Sequence, residues 1–267
     1  MTTCFTAGPG VDVIAATADI PTLGSLAINS FLVHGTEPLL VDTGTVAGRA
    51  DFLAVLGSVI DPQALRWIWL THTDFDHIGS LTALLELNPK IRVITSFLGV
   101  GIMSLSSTPL PMDRVHLLNP GQTVTVGDRR LTALRPPVFD NPITTGFVDD
   151  LNGALFSSDC FGALLPSLPE DAADLDTATL TAGQIKWVTI DSSWVHDVDR
   201  GTFNAKLDQL RAIQPSMIYS SHLPPAPGNM LDLFIQSLAQ VPDAPPFEGP
   251  DQTALETMLA AMASQPA

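Results

Sequence analysis

Residues 71–77 read Thr-His-Thr-Asp-Phe-Asp-His and place two imidazoles and two carboxylates within six positions, His72 to His77. They follow the apolar run at residues 65–70, so we expect a ligand loop at the end of a buried strand. Side chains this close would repel one another or stay unsatisfied unless a cation held them together. Because adjacent residues cannot all converge on one ion, the loop predicts two metals.

Composition limits the classes of protein that this chain can be. It has 28 acidic against 12 basic residues, a formal net charge of −16, which argues against nucleic acid as a partner. The first basic residue is Arg49, so the N-terminus lacks the positively charged region of a secretory signal. No apolar run approaches the roughly 20 residues of a membrane span. We therefore expect a soluble, cytoplasmic protein that does not bind membranes.

Cysteine usage decides which side chains can hold a metal. Cys4 and Cys160 are too few for a disulfide scaffold or a four-cysteine centre. Any metal must therefore be held by His, Asp and Glu, and inert burial is expected for Cys160.

The order of predicted elements indicates a fold class. Strands are predicted at residues 11–15, 26–33, 38–41, 66–70, 91–94, 115–118, 122–126, 130–134, 155–157, 188–190 and 217–220. Helices are predicted at residues 50–60, 78–87, 201–213, 230–239 and 253–262. This order predicts an α/β (α+β) chain folded as one four-layer αββα sandwich. Residues 1–240 would form the dimetal domain, and residues 241–267 a Pro-rich segment with a short C-terminal helix.

Three further ligand candidates stand where predicted strands end, which is where sites usually gather: Asp140, Asp159 and His222. Some of the candidates have ordinary alternatives. Asp140 precedes Asn-Pro and could make an Asx-turn, Asp74 could face solvent, and Asp76 could be the N-cap of a helix beginning at residue 78.

The loop and the later candidates resemble the metallo-β-lactamase superfamily over roughly residues 10–225, where the signature H-x-H-x-D-H follows a strand. A carboxylate at the second histidine, here Asp74, is typical of the diiron domain of flavodiiron oxygen and nitric oxide reductases. Intervals of 62, 18 and 62 residues separate His77, Asp140, Asp159 and His222. Two of these intervals match that family's pattern and the third is longer by two residues. The sequence around Asp159, Leu-Phe-Ser-Ser-Asp-Cys-Phe-Gly, also resembles the sequence around the bridging aspartate of that family.

The resemblance implies a ligand set. One metal would be held by His72, Asp74 and Asp140, the other by Asp76, His77 and His222, and Asp159 would bridge them. Two of these are substitutions, because Asp74 stands for a glutamate and Asp140 for a histidine, so the first metal could be displaced or weakly bound. Asp42 lies in a Leu-Val-Asp-Thr-Gly motif of the superfamily. It would orient a metal ligand without itself binding the metal, or else serve only as a turn residue.

The donor chemistry indicates a function. Three histidines and four carboxylates bring about four negative charges to two divalent cations, which suits iron, with manganese or zinc as alternatives. The same charge weakens the Lewis acidity that a hydrolase needs. The leading hypothesis is therefore a non-haem diiron protein that binds or reduces dioxygen, or secondly nitric oxide. The rivals are a metal-dependent hydrolase of a small ester, thioester or amide, and a degenerate site with one metal or none.

The resemblance also bears on partners. No flavin-binding loop or rubredoxin cysteine pattern is found, so we expect no flavin bound by this chain and an external electron donor. The resemblance also implies a possible homodimer, because in flavodiiron proteins the flavodoxin domain of one subunit faces the diiron site of the other. That reason does not apply when the flavodoxin domain is absent.

Overall fold

The computed structural model describes residues 2–106 and 109–263, and within them two sheets face each other. The first sheet contains, in spatial order, β1 (Thr3–Thr6), β2 (Val11–Ile20), β3 (Gly24–Val33), β4 (Leu39–Val41), β5 (Trp67–Trp69), β6 (Arg92–Thr95) and β7 (Val115–Leu117). Neighbours are antiparallel from β1 to β4 and parallel from β4 to β7. The carboxyl ends of β4 and β5 therefore lie at one edge of the sheet.

The second sheet has the same kind of edge. It contains, in spatial order, β8 (Thr123–Val126), β9 (Arg129–Leu134), β10 (Gly146–Asp149), β11 (Ala154–Phe156), β12 (Met217–Tyr219) and β13 (Ala226–Pro227). Its neighbours are antiparallel except β11 and β12, which are parallel. The loops that follow β11 and β12 consequently begin side by side.

Helices cover the outer face of each sheet. They are α1 (Arg49–Val59), α2 (Leu81–Leu87), α3 (Phe97–Ser104), α4 (Thr177–Asp191), α5 (Arg200–Arg211), α6 (Leu231–Gln240) and α7 (Gln252–Ala263). The first sheet packs on α1 and α2 through Phe52, Leu56 and Leu84, and the second packs on α4, α5 and α6. Between the sheets lies an apolar core with stacked Phe147 and Phe156. The predicted four-layer αββα sandwich is confirmed.

Two predicted elements are wrong in type or start. Residues 188–190 are predicted as a strand but lie inside α4, where Val188 is fully buried against the second sheet. A short apolar run does not distinguish a buried strand from a buried helix. The helix expected from residue 78 begins at Leu81, and its N-cap position is Ser80 rather than Asp76. The backbone N–H groups of Gly79 and Ser80 instead donate to carbonyls of residues 43 and 44.

Four short elements, β1, β10, β13 and α3, are absent from the sequence prediction. The helix expected at residues 253–262 is confirmed as α7. Within the described residues, every helix is too short or too polar to cross a bilayer.

Candidate metal centre

The two sheets bring all seven candidate ligands to one edge of the sandwich. The loop after β5 supplies His72, Asp74, Asp76 and His77, the connection from β9 to β10 supplies Asp140, and the ends of β11 and β12 supply Asp159 and His222. Asp42 follows β4 at the same edge. The parallel pairs β4/β5 and β11/β12 thus explain why residues distant in sequence meet here.

One group of donors forms around His72. Its Nε2 lies 4.0 Å from Asp74 Oδ2 and 3.9 Å from Asp140 Oδ1. Asn141 Nδ2 donates a hydrogen bond at 2.9 Å to the other oxygen of Asp74, Oδ1, and so helps to hold Oδ2 towards His72. Neither a purely solvent-facing role for Asp74 nor a purely local turn role for Asp140 agrees with these positions.

A second group forms around Asp76. Its Oδ2 lies 3.5 Å from Nε2 of His77 and 3.5 Å from Nε2 of His222. These three side chains supply donor atoms within 4.8 Å of one another. Asp76 therefore faces two imidazoles and does not cap a helix.

Asp159 lies between the two groups. Its Oδ2 is 3.2 Å from Nε2 of His72, whereas its Oδ1 is 3.3 Å from Nε2 of both His77 and His222. The side chain is only 3% exposed. A carboxylate with its two oxygens directed at different imidazole groups has the arrangement of a bridging ligand.

Hydrogen bonds to the Nδ1 atoms of two histidines determine which imidazole nitrogen faces the centre. Asp42 Oδ2 contacts His77 Nδ1 at 2.8 Å and also accepts from the hydroxyl of Thr71. His222 Nδ1 donates to the carbonyl oxygen of Ala27 at 2.7 Å. Since each Nδ1 is held in this way, Nε2 is the nitrogen that faces the carboxylates, an arrangement common behind metal-bound histidines.

Trp187, on α4, supports the buried side of the centre. Its indole N–H donates to the backbone carbonyl of Asp159 at 3.3 Å, and its ring packs 4.9 Å from the ring of His222. A Cβ on Gly162 would lie 2.5 Å from the indole nitrogen and 2.8 Å from the Cβ of His222. A side chain at position 162 would therefore displace this support.

Charges at the centre shift the pKa values of its members strongly. Burial acts to lower the pKa of His222, but the adjacent carboxylates of Asp159 and Asp76 outweigh it and raise this pKa to about 9. Burial and then the charge of Asp159 raise the pKa of Asp140 to about 8. For Asp159 itself, burial opposes ionisation, but the facing imidazoles outweigh it and hold the pKa well below its usual range. The carboxylates therefore create a strong local preference for positive charge.

Buried atoms without hydrogen-bond partners also indicate that these donors can bind a pair of metal ions. Three buried atoms, His77 Nε2, Asp140 Oδ1 and Asp159 Oδ1, have no hydrogen-bond partner. Buried polar atoms are rarely left unpaired in native proteins, and a bound ion can supply the missing partner. Nitrogen and oxygen donors in two groups of three with a carboxylate between them can hold two cations.

Sequence reasoning missed three residues at this centre. Asn141 and Trp187 act through other residues, and neither stands in a motif. Asp191 ends α4, and its carboxyl lies within 4.8 Å of donor atoms of Asp140 and Asp159. It falls next to the segment predicted as a strand. The only sequence signal is an acidic residue in the last turn of a helix, where basic residues are preferred.

Comparison with known proteins identifies relatives of this chain. The family model described as ODP family beta lactamase matches residues 26–222. Rubredoxin-oxygen oxidoreductase of Megalodesulfovibrio gigas is 29% identical over 136 residues, and nitric oxide reductase of Moorella thermoacetica is 25% identical over 134. Each match covers 50% of this chain and 33% of the relative. The chain therefore matches about a third of the length of these curated relatives.

Solved structures agree on the fold. Rubredoxin oxygen:oxidoreductase from Desulfovibrio gigas superposes with a TM-score of 0.76 at 18% identity, over 90% of this chain and 62% of that one. A flavoprotein from Thermotoga maritima superposes with a TM-score of 0.74 at 19% identity, over 93% and 64%. At these identities the likeness concerns the fold.

Proposed function

The chain belongs to the ODP family of beta lactamases, and from this premise we propose that it is a non-haem diiron oxidoreductase that reduces dioxygen or, secondly, nitric oxide. The observation that carries the proposal is the position of Asp159, whose two oxygens are directed at different imidazole groups. The names of two relatives, an oxygen oxidoreductase and a nitric oxide reductase, support the choice of substrate.

The proposed ligand set divides into two positions. His72, Asp74 and Asp140 hold the first metal, which we call position one. Asp76, His77 and His222 hold the second, at position two, and Asp159 bridges the two positions. The distances of 3.2 to 4.0 Å between the donor atoms in each group support this division.

The donor set supports iron. Four carboxylates against three imidazoles make an anionic set in which imidazole suits iron and carboxylate suits manganese, and its negative charge stabilises the higher oxidation states that zinc lacks. When bound, two ferrous ions would each supply one electron to a diatomic gas. Reduction of dioxygen to two waters takes four electrons and four protons, so we propose that a separate one-electron donor protein supplies all four electrons per turnover, two of them to return the irons to the ferrous state.

The residues of the chain give the centre a closed and an open side. The imidazole of His72 and the carboxyl of Asp159 are almost fully buried, whereas the side chains of Asp74, Asp76 and Asp140 are 45%, 31% and 21% exposed. A small gas and its protons would therefore approach from the carboxylate side. Trp187 packs against the ring of His222, which is almost fully buried.

The test is anaerobic purification with ferrous iron, elemental analysis, and gas consumption with reduced rubredoxin as the probe donor. We expect about two irons per chain and oxygen consumption that Asp159→Asn abolishes. Asp150→Asn, at a surface carboxylate paired with Arg130, is the matched control and should keep both properties. Two zincs with ester hydrolysis would favour the hydrolase, and one metal or none would refute a dimetal centre.

We also propose that residues 1–240 form the dimetal domain and that residues 241–267 take no part in its chemistry. All candidate ligands precede residue 223, while the side chains of residues 251–260 are largely exposed. Val241 and Pro242 pack into the core beside α6, so a fair truncation ends after residue 250. That truncated chain should keep its full iron content, and loss of iron would contradict the division.

A homodimer is a separate proposal that comes from the family resemblance, and sedimentation of the iron-loaded protein tests it.

A further inference from the structure

Asp191 is an acidic side chain at the centre that the proposed ligand set does not use. It is the last residue of α4, and its carboxyl lies within 4.8 Å of donor atoms of Asp140 and Asp159. The hydroxyl of Ser192 donates to its Oδ2 at 3.0 Å. Opposite ligands of an octahedral cation are about 4.2 Å apart when each bond is about 2.1 Å. The three carboxyls are therefore spaced closely enough to share one ion.

This position is electrostatically unfavourable without a cation. Three carboxyls lie together, and Asp191 also stands at the negative end of the helix dipole, where α4, described over its whole length, has no basic residue in its last turn. Asp140 Oδ1, which lies 3.9 Å from Nε2 of His72, is buried without a hydrogen-bond partner, and the side chain of Asp159, whose Oδ2 also faces His72, is only 3% exposed. A cation would relieve both the repulsion and the missing partner of Asp140.

We propose that Asp191 is an additional ligand at position one, and that its carboxylate makes this position favour manganese, relative to zinc, more than position two does. The inference rests on the proposed dimetal centre and deepens it. It concerns only which residues hold the first metal and which metals they favour.

The donors at the two positions then differ in kind. Position one would then combine the imidazole of His72 with the carboxyls of Asp74, Asp140 and the bridging Asp159, and with that of Asp191, which lies within 4.8 Å of donor atoms of Asp140 and Asp159. Position two has two imidazoles, His77 and His222, and two carboxyls, Asp76 and Asp159. Carboxylate oxygen suits magnesium, calcium and manganese, whereas imidazole suits zinc, copper and iron. Zinc should therefore enter position two before position one.

The experiment reloads metal-free protein anaerobically with an equimolar mixture of Fe²⁺, Mn²⁺ and Zn²⁺. Elemental analysis gives the metal content, and anomalous diffraction at each metal edge places each element. Zinc binds most nitrogen and oxygen sites more tightly than manganese does, so the readout is the ratio of manganese to zinc at each position, and we expect this ratio to be higher at position one. Asp191→Asn should weaken binding at position one by about tenfold to a hundredfold and leave position two unchanged. Asp197→Asn, at an exposed carboxylate after α4, is the control and should behave as wild type.

Thermal unfolding distinguishes ligation from a structural role. Without metal, Asp191→Asn should be at least as stable as wild type, because it removes like-charge repulsion and a helix-end anion. A merely structural Asp191 would instead make this metal-free variant less stable. Unchanged affinity at position one in Asp191→Asn, or an equal ratio of manganese to zinc at the two positions, would overturn the inference and leave the diiron proposal standing. Fewer than two metals in wild type would refute the diiron proposal itself.

Discussion

Asp42 decides which nitrogen of His77 is available to a metal. Its carboxylate contacts His77 Nδ1 at 2.8 Å and also accepts from the backbone N–H and hydroxyl of Thr71. Asp42 itself has φ = 57°, in the left-handed region. A non-glycine residue keeps such a conformation only where its surroundings hold it, and these hydrogen bonds do so.

Asp42→Asn should lower metal affinity at position two by about tenfold to a hundredfold, because the amide no longer holds the His77 imidazole as a carboxylate does. Competition with a calibrated chelator measures the affinity. Asp12→Asn is the matched control, since Asp12 contacts His34 at 2.7 Å in another Asp–His pair away from the centre. Equal affinity in Asp42→Asn and wild type would contradict this role for Asp42.

Asn141 controls the position of Asp74. Its amide donates to Asp74 Oδ1 at 2.9 Å, while its own oxygen accepts from the N–H of Ile143. In Asn141→Ala the freed Asp74 should turn to solvent more often, and position one should bind metal several-fold more weakly. Asn152→Ala also removes an Asx-type bond, to the N–H of Ala154, but should leave metal binding intact. A similar loss in both variants would indicate a general loop effect instead.

The sequence identifies a residue of the metal centre when the residue's type and its spacing from other candidates are typical of a metal ligand. The loop at residues 71–77 and the intervals to Asp140, Asp159 and His222 have that property, and the structure brings all of them together. Asp191 has no such signal, because it reaches the centre only through the length and direction of α4. Asn141 and Trp187 are likewise defined by hydrogen bonds that form only in the folded chain.

The delayed start of α2 is a property of two packed loops. The backbone N–H of Gly79 donates to Gly44 at 2.7 Å, and a Cβ at position 79 would lie 2.1 Å from the carbonyl carbon of Thr45. Helical spacing of apolar residues predicts a helix from residue 78, but it does not report such a backbone approach. The loop that carries the ligands is thus held against the loop that carries Asp42.

Gly79→Ala should destabilise the protein by about 1–3 kcal/mol, because backbone atoms of Thr45 cannot move aside as a flexible side chain can. Gly57→Ala is the matched control. Gly57 lies inside α1, and a Cβ at this position would meet nothing within 4 Å, so alanine should stabilise the helix by about 0.5–1 kcal/mol. Denaturant unfolding measures both. A neutral Gly79→Ala would show that the two loops are not tightly packed.

The sandwich as a whole makes the centre, because its ligands come from both sheets and a core between the sheets fixes their distance. Phe31 of the first sheet packs on Phe156 and Tyr219 of the second, directly before the strand ends that carry Asp159 and His222. The order of predicted strands and helices predicts the layers, and the family match confirms the resemblance that the ligand loop indicates. The pairing of the sheets is a long-range property that short apolar runs do not encode.

Because the ligands join the two sheets, metal binding should stabilise the whole fold. A ligand that binds only the folded state stabilises it by about 2.7 kcal/mol when its free concentration is a hundredfold above Kd. For a domain of this size that corresponds to a Tm increase of about 5–10 °C. Scanning calorimetry of iron-loaded and chelator-treated protein measures the difference. His222→Ala should lose most of it, whereas His116→Ala, which alters a ring contact with Trp67, should keep it. Because each variant is compared with its own metal-free form, an equal increase in both would mean that iron binds elsewhere on this acidic chain, and the proposed centre would be wrong.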